Sequence, residues 1–177
     1  ALTPETRLVL TNAVYFLAEW ARPFEPEATR PEPFTVAPER RVTVPTMHQT
    51  ARFDYAEDDD AQVLQMRYRG GELAMVVVLP RAADGLAALE AGLDPETLDG
   101  WLNALAPRRV AVALPKVEID PPQPIELSDT LGAMGMPLAF DPDAADFTAM
   151  ADPPQPADRL YISKVFHQAF VAVDEEG

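Results

Sequence analysis

The sequence predicts an α+β fold, heavy in strands, on three observations. Short runs of β-branched and aromatic residues bounded by proline or glycine recur along the whole chain, so strands dominate. Helical spacing of apolar residues is confined to 84–105 and 128–134, between strand-like stretches. A hydrophobic fraction of 47% with 24% charged residues is globular composition, and 177 residues make one domain or part of one. Segregated strands and helices with distant pairing give α+β rather than an alternating α/β order.

Taken in order, LVLTNAVYF over 8–16 is nearly apolar on both faces, as in a central strand, with Asn12 a lone polar residue in the row of Leu8, Leu10, Val14 and Phe16. Five prolines over 21–38 forbid regular helix and central strand there, leaving a surface connection with at most a short edge strand near 34–36. Four short strands follow at 41–47, 52–56, 62–68 and 72–79, the last two joined by Gly70-Gly71, a hairpin signal. The acidic run from Glu57 to Asp60 reads as a solvated turn. Asp84 is placed to cap a helix burying Leu86, Leu89 and Leu93, and Asp94-Pro95 starts another burying Leu98, Trp101, Leu102 and Leu105. Residues 109–119 return to strand, Ser128 opens a helix to about Met134, 141–156 is loop, and 160–173 forms a last long strand.

Fourteen Lys and Arg against 29 Asp and Glu give a net charge of −15. That charge repels phosphate backbones and anionic lipid, so neither nucleic acid nor membrane is an expected partner. With no cysteine, disulfides, thiolate nucleophiles and Cys-based metal sites are excluded. His48 and His167 are the only histidines and no H-E-x-x-H occurs. Asp141, Asp143 and Asp146 resemble half a calcium loop but lack its glycine and its closing glutamate. Neither a G-x-S-x-G elbow nor a phosphate-cradling glycine pattern is present. His167, in mid-strand, reads more simply as a satisfied core residue than as a catalytic one. No cofactor and no enzyme activity are expected.

Several stretches together resemble the serpin family of protease inhibitors. LVLTNAVYFLAEWARPFEPEATRPEPFTV is similar to the third strand of that family's large A sheet and the crossing after it, and VTVPTMHQ to the next strand. AFDPDAADFTAM and LYISKVFHQAFVAVDEEG are similar to the approach to the fifth A-sheet strand and the hinge of the reactive loop. Their order and spacing cover nearly all of 1–177, which reads as a partial serpin domain of bacterial type. It would hold part of the mixed A sheet, a second antiparallel sheet and short helices, while the N-terminal helices, the reactive loop and the C-terminal strands are absent.

The resemblance implies a metastable inhibitor. A target serine protease, or a cysteine protease as the other class, cuts the exposed loop, which then inserts as a new strand in the A sheet. It also favours an extracellular location, although the chain carries no signal peptide, and it makes the missing remainder of the chain a partner. The leading alternative is a non-inhibitory serpin acting as carrier or chaperone.

Residue by residue, the resemblance places Asn12 and His167 as the polar pair where the sheet parts, and Trp20 at its top. It makes Glu175, Glu176 and Gly177 the proximal hinge, and sets Lys116 opposite Glu175. Three expectations follow. The apolar faces of the 8–16 and 160–173 strands are exposed in this chain, and these strands are neighbours or flank one inserted strand. Lys116 and Glu175 form an ion pair that Trp20 shields from water.

Overall fold

The computed structural model describes residues 12–37 and 39–177. These fall into two compact units, Phe16–Glu118 with Ala172–Gly177, and 12–15 with Ile119–Val171. The fold class is α+β, as expected: antiparallel sheets with few, short helices.

In the larger unit, β1 (Arg30–Ala37), β2 (Arg40–Glu57), β3 (Ala61–Arg67), β4 (Ala74–Pro80) and β5 (Ala106–Pro115) form one sheet in the order β1-β2-β3-β4, with β5 also on β2. The two strands expected at 41–47 and 52–56 are a single strand of 18 residues. The polar stretch between them holds because β5 pairs without interruption from Thr46↔Pro115 to Tyr55↔Ala106. On its other partners β2 is divided, meeting β1 through Thr46 and β3 only from Asp54 onward.

The proline-rich connection contains a full edge strand, longer than the fragment expected at 34–36. Pro31 and Pro33 are tolerated because, among the described residues, β1 pairs on one side only, so their missing N–H groups can fall on the open side. The hairpin at Gly70-Gly71 is present, both residues having positive φ, 95° and 78°, which side chains disfavour. The strand expected at 109–119 breaks at Lys116 into β5 and β6 (Val117–Ile119).

Helix α1 (Leu86–Gly92) starts after Gly85 with no side-chain cap, so Asp84 does not take the capping role. Helix α2 (Pro95–Ala104) begins as expected: Asp94 accepts from the Thr97 N–H at 2.8 Å and proline occupies the first turn, where its absent N–H costs nothing. Neither helix buries its leucines; Leu86 and Leu93 are about half exposed. Asp58 in the acidic turn is a structural hub. Its carboxylate accepts from Trp101 Nε1 at 2.7 Å and from the Ala61 and Asp60 amides, while its carbonyl accepts from Arg81.

The core of this unit joins Trp20, Phe24, Met47, Phe53, Met66, Tyr68, Val112 and Val173. Burying each of its larger side chains contributes about 1.5–3 kcal/mol, and Val173 is the residue of 172–177 that joins it.

In the smaller unit, β7 (Ile125–Glu126) pairs with β8 (Phe166–His167), and α3 (Ser128–Ala133) lies between them in sequence. Ser128 does not cap α3; its hydroxyl accepts from the Val165 N–H at 3.0 Å and ties α3 to the segment before β8. The long strand expected at 160–173 is two short ones, β8 and β9 (Val171–Val173), the latter paired with β6. A strand exists only where a neighbour completes its ladder, and apolar composition supplies none. For the same reason 12–19 is not a strand despite its β-rich sequence, while residues 8–11 of that expectation lie outside the described residues. The expected exposure is present in part: Val14 and Tyr15 are at least 85% accessible and Phe170 is 63% accessible, whereas Val173 is buried in the core.

Candidate functional site

The last four residues converge with Trp20, Phe24, Thr29 and Lys116. Val173 is buried and anchors the approach, and Asp174 folds back on itself, its carboxylate accepting from the amides of Glu176 and Gly177. Two backbone bonds then lash the segment to the chain after residue 19. The Trp20 N–H donates to the Glu176 carbonyl at 2.6 Å and the Phe24 N–H to the Glu175 carbonyl at 2.9 Å. Gly177 lies so close to Ala18 that a Cβ would strike the Ala18 carbonyl. Glycine is needed here for close approach, not for the left-handed conformation that a chain reversal would suggest, since φ at Gly177 is not positive.

Glu175 is held at both carboxylate oxygens. Lys116 Nζ lies 2.5 Å from Oε2, and the Thr29 hydroxyl donates to Oε1 at 2.7 Å. The Lys116 ammonium, then Thr29, then a backbone N–H lower the Glu175 carboxyl from 4.5 to about 2. The same contact raises the Lys116 ammonium above its ordinary value. Lys116 is positioned by the break between β5 and β6, and its own N–H donates to the Pro45 carbonyl at 2.9 Å. The pair expected from the sequence is therefore formed.

Trp20 is 1% exposed, and its ring stacks on Tyr68 with centroids 4.7 Å apart and 8° between planes. Its Nε1 donates to the Asp174 carbonyl at 3.0 Å. The indole thus braces the backbone of the terminal segment, while the Lys116 side chain stays 38% exposed, more than a shielding ring would leave. Thr29 escaped the sequence reading. The signal for it was faint: a hydroxyl just before the edge strand, 146 positions from its partner.

Asn12 and His167 are not brought together. Both are exposed, no hydrogen bond joins them among the described residues, and His167 sits in β8 opposite Ile125. The sheet pairing that would align them is missing at 12–19, and with it the basis for reading His167 as a core residue. His48 Nε2 lies 3.2 Å from Glu32, whose same oxygen accepts from Arg30, and no hydroxyl completes a catalytic triad there among the described residues.

Comparison with known proteins agrees with the geometry. A family model described as Serpin (serine protease inhibitor) matches residues 1–177. Neuroserpin of Rattus norvegicus is 39% identical over 97% of this chain, and antithrombin-III of Mus musculus is 34% identical over all of it. The chain spans 42% and 37% of those two relatives. Reaction-loop-cleaved lamprey angiotensinogen superposes with a TM-score of 0.80 at 31% identity, covering 90% of this chain and 47% of that one. With a family model matching residues 1–177 and structures of that family superposing on 90% of the chain, the chain belongs to the serpin family.

Proposed function

We propose that the complete gene product inhibits serine proteases as a suicide substrate, with Glu175, Glu176 and Gly177 as the proximal hinge of its reactive loop. The observation that carries this reading is the clamp on Glu175. One carboxylate is fixed by an ammonium and a hydroxyl, and the backbone on either side of it is bonded to the segment bearing Trp20 and Phe24. Such an arrangement fixes where an exposed loop begins, and the Lys116 side of the pair, 38% exposed, lets water take over the ammonium when the loop moves.

In the proposed reaction the protease serine Oγ attacks the scissile carbonyl of the loop. The C–N bond breaks, the amine leaves with a proton from the protease histidine, and an ester joins inhibitor to enzyme. The cut loop then gains ladder hydrogen bonds as an added strand, which drives the enzyme away from its productive geometry. The inhibitor supplies no catalytic group, so Trp20, Lys116 and Glu175 act on loop position alone. Asn12 and His167 would take their sheet-opening role only in a form where both strands are paired.

The test is incubation of the complete gene product with a panel of serine and cysteine proteases. An SDS-resistant complex, sensitive to ester-cleaving base, is expected with at least one serine protease. Turnover of the loop as plain substrate by every protease, with no such complex, would favour the carrier or chaperone class instead.

A further inference from the structure

A half-open groove of about 230 Å³ lies where β2 and β3 part. The β2–β3 ladder ends at Asp54↔Gln65, so Phe53 and Arg52 on one strand and Met66 and Arg67 on the other run on without facing bonds. The chain at 20–22 enters this opening. The Ala21 N–H donates to the Arg67 carbonyl at 2.8 Å, Trp20 bridges Tyr68, and the Gln49 amide donates to the Arg22 carbonyl at 3.2 Å. The floor is apolar, made of Trp20, Phe53 and Met66, each at most 9% exposed.

The rim is cationic. Arg22, Arg52 and Arg67 line the groove with a single carboxylate, Asp54, so three charges less one leave +2 in a chain of net charge −15. Asp54 is already taken, one of its oxygens accepting from Arg67 Nε and Nη2 at 3.2 and 2.7 Å. Among the described residues neither Arg22 nor Arg52 is in an ion pair. Two uncommitted guanidiniums over an apolar floor suit a planar oxyanion attached to a flat hydrophobic body, since arginine meets a carboxylate through paired N–H donors. The volume falls just below the roughly 300 Å³ at which most ligand pockets begin, and a cavity of about 150 Å³ is enough for one benzene ring.

We propose that this groove binds a small aromatic dicarboxylate, its ring on Trp20, Phe53 and Met66 and its carboxylates on Arg22 and Arg52. The proposal does not rest on protease inhibition: the charged residues Arg22, Arg52 and Asp54 lie outside the Glu175 clamp, and only Trp20 is shared. It gives the groove a ligand contact with Trp20, whose other face of function is to hold the terminal segment.

The experiment titrates phthalate into the complete gene product labelled at its methionine methyl groups, reading the Met66 resonance by NMR and the stoichiometry by calorimetry. Saturable binding at one site that moves Met66 is expected, with affinity at least tenfold weaker in Arg52→Met and in Arg22→Met and only partly restored in Arg52→Lys, which keeps the charge but not the paired donors. Both arginines are exposed, so the variants retain the fold, and an unchanged circular dichroism spectrum checks this. Three results would each overturn the proposal: equal affinity in the methionine variants, equal affinity for the uncharged diamide of phthalate, or displacement of Met66 by sulfate as strongly as by phthalate.

Discussion

Replacing Glu175 by Gln removes the charge from the clamp and leaves its shape nearly unchanged. The lowering of this carboxyl from 4.5 to about 2 is worth at most about 3 kcal/mol. That ceiling is too high, because Lys116 is 38% exposed and water screens the pair. A discounted loss of about 1–2 kcal/mol is left, a factor of about 5–30 in the opening equilibrium of the terminal segment. The readout is hydrogen exchange at the Trp20 and Phe24 amides, which donate to the Glu176 and Glu175 carbonyls. Their protection at pH 7 should fall by that factor in Glu175→Gln and similarly in Lys116→Met, with the double variant well short of the product.

The sign of the pH dependence follows from the direction of the shift. A carboxyl lowered in the folded state stabilises above 4.5, and the gain is lost as pH falls toward about 2, with roughly two-fifths remaining at pH 3. The raised Lys116 ammonium stabilises fully below its ordinary value of 10.5 and loses its contribution as pH climbs past it. Protection differences between wild type and Glu175→Gln should therefore be widest near neutrality and shrink in acid. Protection equal within twofold at pH 7, or a difference that persists undiminished at pH 2, would refute the clamp as the cause.

Other outcomes can be checked separately. Gly177→Ala should loosen the terminal segment, because its Cβ meets the Ala18 carbonyl, and the Trp20 amide should exchange faster. Trp20→Ala should cost about 3–5 kcal/mol in urea unfolding, whereas Trp20→Phe, which keeps a ring on Tyr68 but loses the bond to Asp174, should cost less. The Asp58 carboxyl is lowered first by its bond from Trp101 and then by the Ala61 and Asp60 amides. Its hold on α2 should thus be full above the ordinary carboxylate value and weaken in acid, seen as a shift of Trp101 emission that is absent in Asp58→Asn.

What depends on local chemistry and on charge is legible along the chain. The α2 start at Asp94-Pro95, the Gly70-Gly71 turn and the short strands β3 and β4 all follow from residues acting within a few positions of one another. The Lys116–Glu175 pair was legible for another reason: lysines are scarce in this chain, and resemblance to the family supplied the pairing across 59 positions. Tertiary structure decided the rest. Whether a β-rich stretch becomes a strand depends on a neighbour to bond with, so β2 runs through its polar middle against β5 while 12–19 takes no ladder. Thr29 joins the clamp because β1 begins beside Glu175, and the Arg22 and Arg52 groove opens because β2 and β3 pair only from Asp54 onward and part before it. Each is a contact between distant positions, and composition and periodicity, which register only what lies along the chain, carry no trace of which distant residues meet.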